Sequence, residues 1–196
     1  NNHGQIYSGR GLEFDGVSDH LTASHTMPSD IYTVSLWANF GSGSSTRYLF
    51  DNRDGSNTNG IALYAAYSSD KMRIIVYQSS SSPITTAYDL NINTWYRIVL
   101  VKDGADFTLY CNGVEWATDS GNDNSSNGGT VTLGARYTVA EYLIGKMSDF
   151  QVWDVAWSTD DITYDYLNPE LLALNGGGTA LTESNLKLWY PMQDGH

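Results

Sequence analysis

Asn112-Gly113 separates two runs of alternating polarity, and this arrangement restricts the fold more than any other feature of the chain. Residues 107–112 and 114–118 carry the two-residue period of strands with one face buried. Asn-Gly accepts positive φ at the centre of a tight turn, so the two runs read as a β-hairpin. Phe107, Leu109 and Cys111 share one parity, which points the thiol into the core beside its neighbours. No His or Lys adjoins it, so Cys111 is expected to pack as a small hydrophobe rather than react. It is the single cysteine, and no intrachain disulfide can form.

The same period recurs along most of the chain. Leu12 and Phe14 alternate with Glu13 and Asp15 before a turn at Asp15-Gly16. Residues 33–40, 47–50, 60–67, 72–77, 95–102, 130–133 and 142–153 repeat the pattern between clusters of Gly, Ser, Asn and Asp. No crossover helix fits between these runs, which excludes a parallel α/β sheet. The expected fold is all-β, an antiparallel two-sheet β-sandwich of the jelly-roll kind with short C-terminal helices. Ser158 with Asp161 three residues on can cap a first helix that Pro169 stops. Asn168-Pro169-Glu170 opens a second, carrying Leu171, Leu172 and Leu174 and ending at Asn175-Gly176. Residues 186–190 read as a last strand. The organisation expected is a leader over 1–7, a sandwich over 8–165 and an extension over 166–196 packed on it.

Charge narrows the partners. Ten basic against 22 acidic residues give a net charge of −12. A phosphate backbone would be repelled, and no Lys/Arg cluster stands ready to release its counterions, so nucleic acid is not an expected partner. No run approaches about 18 apolar residues, and no membrane insertion is expected. The acidity suits divalent cations, neutral polar ligands or plain solubility.

Four segments then carry a resemblance. Gly11-Leu12-Glu13-Phe14-Asp15-Gly16-Val17-Ser18-Asp19-His20-Leu21 resembles the opening motif of laminin-G-like domains, in the concanavalin A-like lectin/glucanase superfamily. Residues 33–38, with Trp37, resemble their second strand. Residues 95–104 followed by 109–113 resemble their central hairpin pair, with Cys111 in place of the usual aliphatic residue. Residues 145–154 with Ala156-Trp157-Ser158 resemble the closing strand and terminal turn. Order and spacing agree over residues 8–165. The tail from Tyr164 to Gly195 resembles the extension of such domains in tail-fibre or adhesin-like proteins of marine phages. The resemblance implies sugar or receptor binding, on an extracellular protein or a virion surface and as part of a larger oligomeric fibre. Enzymes, lectins and spacers share this fold, so function rests on the site.

The resemblance also implies a calcium on the back face, held by Gly16 and Asp149 with Asp15 or Asp19 as a further oxygen. The same Asp15 and Asp19 equally read as turn residues accepting backbone N–H groups. A second calcium candidate is Asp51-Asn52-Arg53-Asp54-Gly55, which lacks the spaced carboxylates of an EF-hand and also reads as a plain turn.

A sugar site needs a flat aromatic for the C–H face and planar polar groups for the hydroxyls. Trp37, Trp95, Trp153 and Trp157 sit in packing motifs and are assigned to the core. Trp116, beside the hairpin turn, and the tyrosines near loops (Tyr48, Tyr64, Tyr67, Tyr77, Tyr88, Tyr137) are candidates; fourteen tyrosines give such a surface ample material. The expected contact rim is Asp51, Arg53, Asp54 and Asn57 on one loop with Arg136 and Tyr137 on another. Catalysis is not expected. Glu13 and Asp15 are the nearest carboxylate pair, but the resemblance places them away from a glucanase cleft. The four histidines have no nucleophile or zinc-ligand companion.

Overall fold

Among the described residues all the strand pairings are antiparallel, as alternation without crossover helices requires. The computed structural model describes residues 11–43, 45–54, 59–68, 71–78, 84–85, 89–120, 130–174 and 179–192, with backbone alone for 67–68, 71–72, 77–78 and 84–85. In chain order the strands are β1 (Leu12–Asp15), β2 (Leu21–Ala23), β3 (Ile31–Phe40), β4 (Arg47–Asp51), β5 (Ile61–Ser68), β6 (Lys71–Gln78), β7 (Ile84–Thr85), β8 (Trp95–Asp103), β9 (Asp106–Cys111), β10 (Val114–Asp119), β11 (Val131–Leu133) and β12 (Ile144–Trp153). Helix α1 (Thr159–Leu167) and β13 (Leu186–Tyr190) follow. The hairpin at Asn112-Gly113 joins β9 to β10, with Asn112 and Gly113 both at positive φ.

One sheet has seven strands in the order β1-β12-β3-β8-β9-β10, and β13 also pairs with β12. The other has six, in the order β2-β11-β4-β5-β6-β7. Their facing sides bury the main core. Leu36, Phe40, Ile98, Leu100 and Leu109 meet Leu49, Phe50, Leu63, Ile74 and Val76 there. Phe50 stacks on Phe150 at 5.7 Å across the two layers. Cys111 lies in this core, 1% exposed, and burial pushes its thiol well above the ordinary range.

A second apolar cluster covers the outer face of the seven-stranded sheet. Val99, Val101 and Trp153 pack against Trp157, Ile162 of α1, Ala173 and Leu181. Helix α1 begins as the sequence indicates: Ser158 Oγ accepts from the Asp161 amide, and the Asp161 carboxylate accepts from the Ser158 amide. The second expected helix does not form. Among the described residues of that stretch, 168–174 run as turns, with the Leu171 amide donating to the Asn168 carbonyl. Burying Ala173 and half-burying Leu172 and Leu174 against the sheet outweighs the weak local preference of so short a segment for a helix. A 3-10 turn over Glu183–Asn185 is the only other helical piece among the described residues.

Trp37, Trp153 and Trp157 are buried as expected, whereas Trp95 is half-buried at the outer face. Trp116 is half-buried against the main core with its ring edge-on to Tyr96, so it does not present a free platform.

Candidate functional site

The outer face of the six-stranded sheet is set by parity. In β5, Ile61, Leu63 and Ala65 enter the core, which turns Ala62, Tyr64 and Ala66 outward. Tyr48 pairs with Tyr64, Asp51 with Ala62 and Thr132 with Asp51 in the cross-strand register. A register shift in β4 between Tyr48 and Phe50 puts Tyr48 on the outer side while Leu49 and Phe50 both fill the core.

Asp51 ends β4 and organises the first loop. Its Oδ1 accepts from the Arg53 amide and from Arg53 Nε, each at 3.0 Å. Its Oδ2 accepts from Arg53 Nη2 at 2.6 Å and from the Tyr137 amide at 3.2 Å. Arg53 Nη2 also donates to the Tyr48 hydroxyl at 3.2 Å. Burial alone would lower the Arg53 guanidinium; Asp51 and Tyr48 overcome that and hold it above its ordinary value. Burial also pushes the Tyr48 phenol up, against the pull of Arg53. The loop base is closed by the Ile61 amide donating to Asn52 Oδ1 and by Asn59 Nδ2 donating to Asp54 Oδ2. Gly60 completes it at φ +89°, where a Cβ would lie 2.6 Å from both Arg53 Cα and the Asn52 carbonyl oxygen.

The second loop, between β11 and β12, is closed by the Leu143 amide donating to the Gly134 carbonyl at 2.7 Å. The Arg136 amide donates to Ala140 O and the Val139 amide to Arg136 O. Val139 (φ 56°) and Glu141 (φ 52°) lie in the left-handed region, which is strained for a β-branched side chain such as valine. Arg136 Nη1 pairs with Glu141 Oε2 at 3.3 Å, both side chains over a third exposed.

The two loops therefore build one column of rings and guanidinium groups. Tyr64 stacks on Tyr48 at 4.8 Å. The Arg53 guanidinium lies 5.5 Å from the Tyr48 ring centre and 5.3 Å from that of Tyr137. The Arg136 guanidinium lies 5.6 Å from the same Tyr137 ring centre. Of the expected rim, the structure brings Asp51, Arg53, Arg136 and Tyr137 together. Asp51 and Arg53 are buried, however, and form the hub beneath the surface rather than the rim itself. Asp54 stands aside, bound to Asn59, and Asn57 lies outside the described residues. Tyr48, Tyr64 and Glu141 complete the column and were not in the expected rim. The pairing of Tyr48 with Tyr64 depends on strand order and on the register shift, and neither tyrosine has a local signal that sets it apart.

The donor set expected for a back-face calcium is not assembled. Asp15 pairs with Ile144, five residues before Asp149 on β12, so roughly 16 Å of strand separates them. Asp15 Oδ1 accepts from the amides of Val17, Ser18 and Asp19, and the Asp15 amide donates to Asp19 Oδ2. Gly16 turns the chain at φ +75°. These residues form the turn that their sequence equally suggested, and the Ser18 and Val17 amides hold the Asp15 carboxyl below its ordinary value. Asp149 faces a different set of groups. Its Oδ1 accepts from Trp189 Nε1 at 2.8 Å, and its Oδ2 from Gln151 Nε2 at 2.7 Å with Arg97 Nη1 at 3.0 Å. Among the described residues no group of three His, Cys, Asp or Glu side chains is placed to share a metal ion.

Tailspike protein 2 of bacteriophage CBA120 (enzymatically active domain) superposes with a TM-score of 0.72 at 15% identity, over 93% of this chain and 29% of that one. A putative carbohydrate binding protein from Bacteroides ovatus gives 0.65 at 17% identity, over 93% and 52%. The CBM40 module of the Ruminococcus gnavus IT-sialidase gives 0.63 at 16% identity, over 79% and 95%. The chain thus spans about half of the Bacteroides protein and under a third of the tailspike, and these likenesses show the fold. A search of curated protein sequences gave no match. The Laminin_G_3 family model matches residues 15–163, and the chain belongs to the concanavalin A-like lectin/glucanases superfamily.

Proposed function

We propose that the chain is a non-catalytic carbohydrate-binding module of a larger extracellular or virion-surface protein. The observation that carries this reading is the column Tyr64–Tyr48–Arg53–Tyr137–Arg136. Half-exposed Tyr64 and Tyr137 offer ring faces to the C–H side of a sugar. Arg136 and Glu141 offer planar groups to its hydroxyls. The buried Asp51–Arg53 pair fixes the rings in advance, which lowers the ordering cost of binding. Fold neighbours named as carbohydrate-binding proteins support the reading. A single shallow site binds weakly, and repetition of the module on a fibre facing a cell-surface glycan or receptor would raise its avidity.

The carboxylates support a non-catalytic role. A glycosidase acid needs a raised pKa at an accessible position. Asp15 is lowered and committed to its turn, and Glu13 lies 3.9 Å from Lys146. Burial pushes the Asp165 carboxyl up against the opposing charge of Arg97, but Asp165 is buried on the side of α1 that faces the sheet, bonded to Arg97.

The test is calorimetric titration against a polysaccharide panel. A binder is expected, with affinity reduced about tenfold or more by Tyr64→Ala or Tyr137→Ala, equivalent to ~1.4 kcal/mol, at an unchanged fold by circular dichroism. A panel without any binder would leave the domain a spacer.

A further inference from the structure

We propose that this site takes neutral glycans and works without a divalent metal, because arginines already hold the carboxylates an ion would need. The inference rests on the carbohydrate reading above.

Asp51 is the clearest case. Both its oxygens are filled, by three Arg53 donors and the Tyr137 amide. A calcium at ~2.4 Å from these oxygens would have to expel a guanidinium packed between two tyrosine rings. Asp149 repeats the arrangement on the other sheet. Arg97 is fixed beside it, bonded also to Asp165 and Ser35. A divalent ion there would meet a buried positive charge at close range.

The same pairing selects against acidic sugars. Arg53, Arg73 and Arg136 all lie on or beside the outer face of the six-stranded sheet, and each has a carboxylate of its own, from Asp51, Asp89 and Glu141 respectively. An anionic sugar would have to displace one of these, and the released carboxylate would then repel it. The net charge of −12 adds to the repulsion at low salt. Ring faces and hydroxyl-binding groups remain as the attractive features, and both suit an uncharged hexose chain. Such contacts are short-ranged and respond little to ionic strength.

The experiment uses the full chain and two sets of probes: dextran, mannan, galactan and xylan as neutral chains, polygalacturonate, alginate and polysialic acid as acidic ones. Each is titrated in EDTA and in calcium, from ~0.05 to ~0.5 M NaCl. The expected result is binding to a neutral chain whose affinity changes less than about twofold across these conditions and falls with Tyr64→Ala. Binding confined to acidic chains, or abolished by EDTA, would overturn this inference and leave the carbohydrate reading standing. Binding to no probe would overturn the carbohydrate reading itself, and this inference with it. Melting in calcium and in EDTA is an independent readout. The midpoints are expected to agree within ~1 °C, and a calcium-dependent rise of several degrees would overturn the metal-free claim.

Discussion

Arg97 and Asp165, on a central strand and on the helix, meet side-on: Nε lies 2.6 Å from Oδ2 and Nη2 2.7 Å from Oδ1. Sixty-eight residues separate them in the chain. The pair fastens α1 to the outer face of the seven-stranded sheet, where the Trp37 and Tyr166 rings lie 6.2 Å apart and tilted by 31°. Arg97 Nη1 also donates to the Asp149 carbonyl at 3.2 Å. Two acids and a serine thus converge on one buried guanidinium.

Removing one partner strands the other in a dry site. Arg97→Met or Asp165→Leu is expected to cost about 3–5 kcal/mol. The combined Arg97→Met, Asp165→Leu variant is expected to cost less than the sum of the two, because the uncompensated charges disappear together. Urea denaturation of the four proteins measures the cycle. Strict additivity would show that the pair does not act as a unit.

Acid sensitivity follows from two lowered carboxyls. The Ser18 and Val17 amides lower Asp15. For Asp154, burial pushes upward, but hydrogen bonds from Lys187 and Asn185 prevail and the group is lowered. A folded value below the unfolded one means the stabilisation is complete above about pH 4. It is lost as pH falls through the folded values. Asp165, raised by burial, acts in the opposite sense, so variants are needed to separate the contributions. Asp15→Ala is expected to lose stability at neutral pH and to show a shallower decline below pH ~4. Parallel curves for variant and parent across that range would remove the claim.

Cys111 is sealed in the core with its thiol pushed up. Ellman's reagent at pH ~8 is therefore expected to label it only through unfolding, with full labelling in denaturant. Labelling of the native protein within the dead time would place the thiol at the surface instead.

Gly60 closes the loop that carries Arg53. Gly60→Ala combines a left-handed backbone with overlap against three main-chain atoms of Asn52 and Arg53. It is expected to destabilise by more than ~1 kcal/mol and to weaken any bound glycan through displacement of Arg53. A thermal melt and a titration on the same sample check both effects.

The sheet architecture was legible because each long strand announces its buried face. In β8, Ile98 and Leu100 alternate with Arg97 and Val99, and both faces could be read from parity alone. The rim was half legible. Asp51 and Arg53 stand two apart in a polar loop, and their meeting with Tyr137 was anticipated. Their burial was not, because it depends on Tyr48 and Tyr137 closing over them from other strands. The back-face calcium set failed for a geometric reason. Asp15 and Asp149 belong to neighbouring strands, but the antiparallel register carries them to opposite ends of that pairing. The helix over 168–174 failed because Pro169 and three leucines satisfy helical statistics while the sheet beneath offers a better place for Ala173.

Both β1 and β13 lie along one side of β12, end to end: β1 covers Ile144 to Met147 and β13 covers Phe150 to Trp153. Asp149 sits between them, its amide donating to the Pro191 carbonyl and its carboxylate accepting from the Trp189 indole N–H. An early and a late segment of the chain therefore act as two halves of one protective cap along a long strand. Loss of the late half would leave four residues of β12 with bare backbone donors and acceptors, a template open to any extended segment of another molecule. A proteolytic nick before Leu186 would then favour strand exchange between molecules, in which one molecule's tail completes its neighbour's sheet.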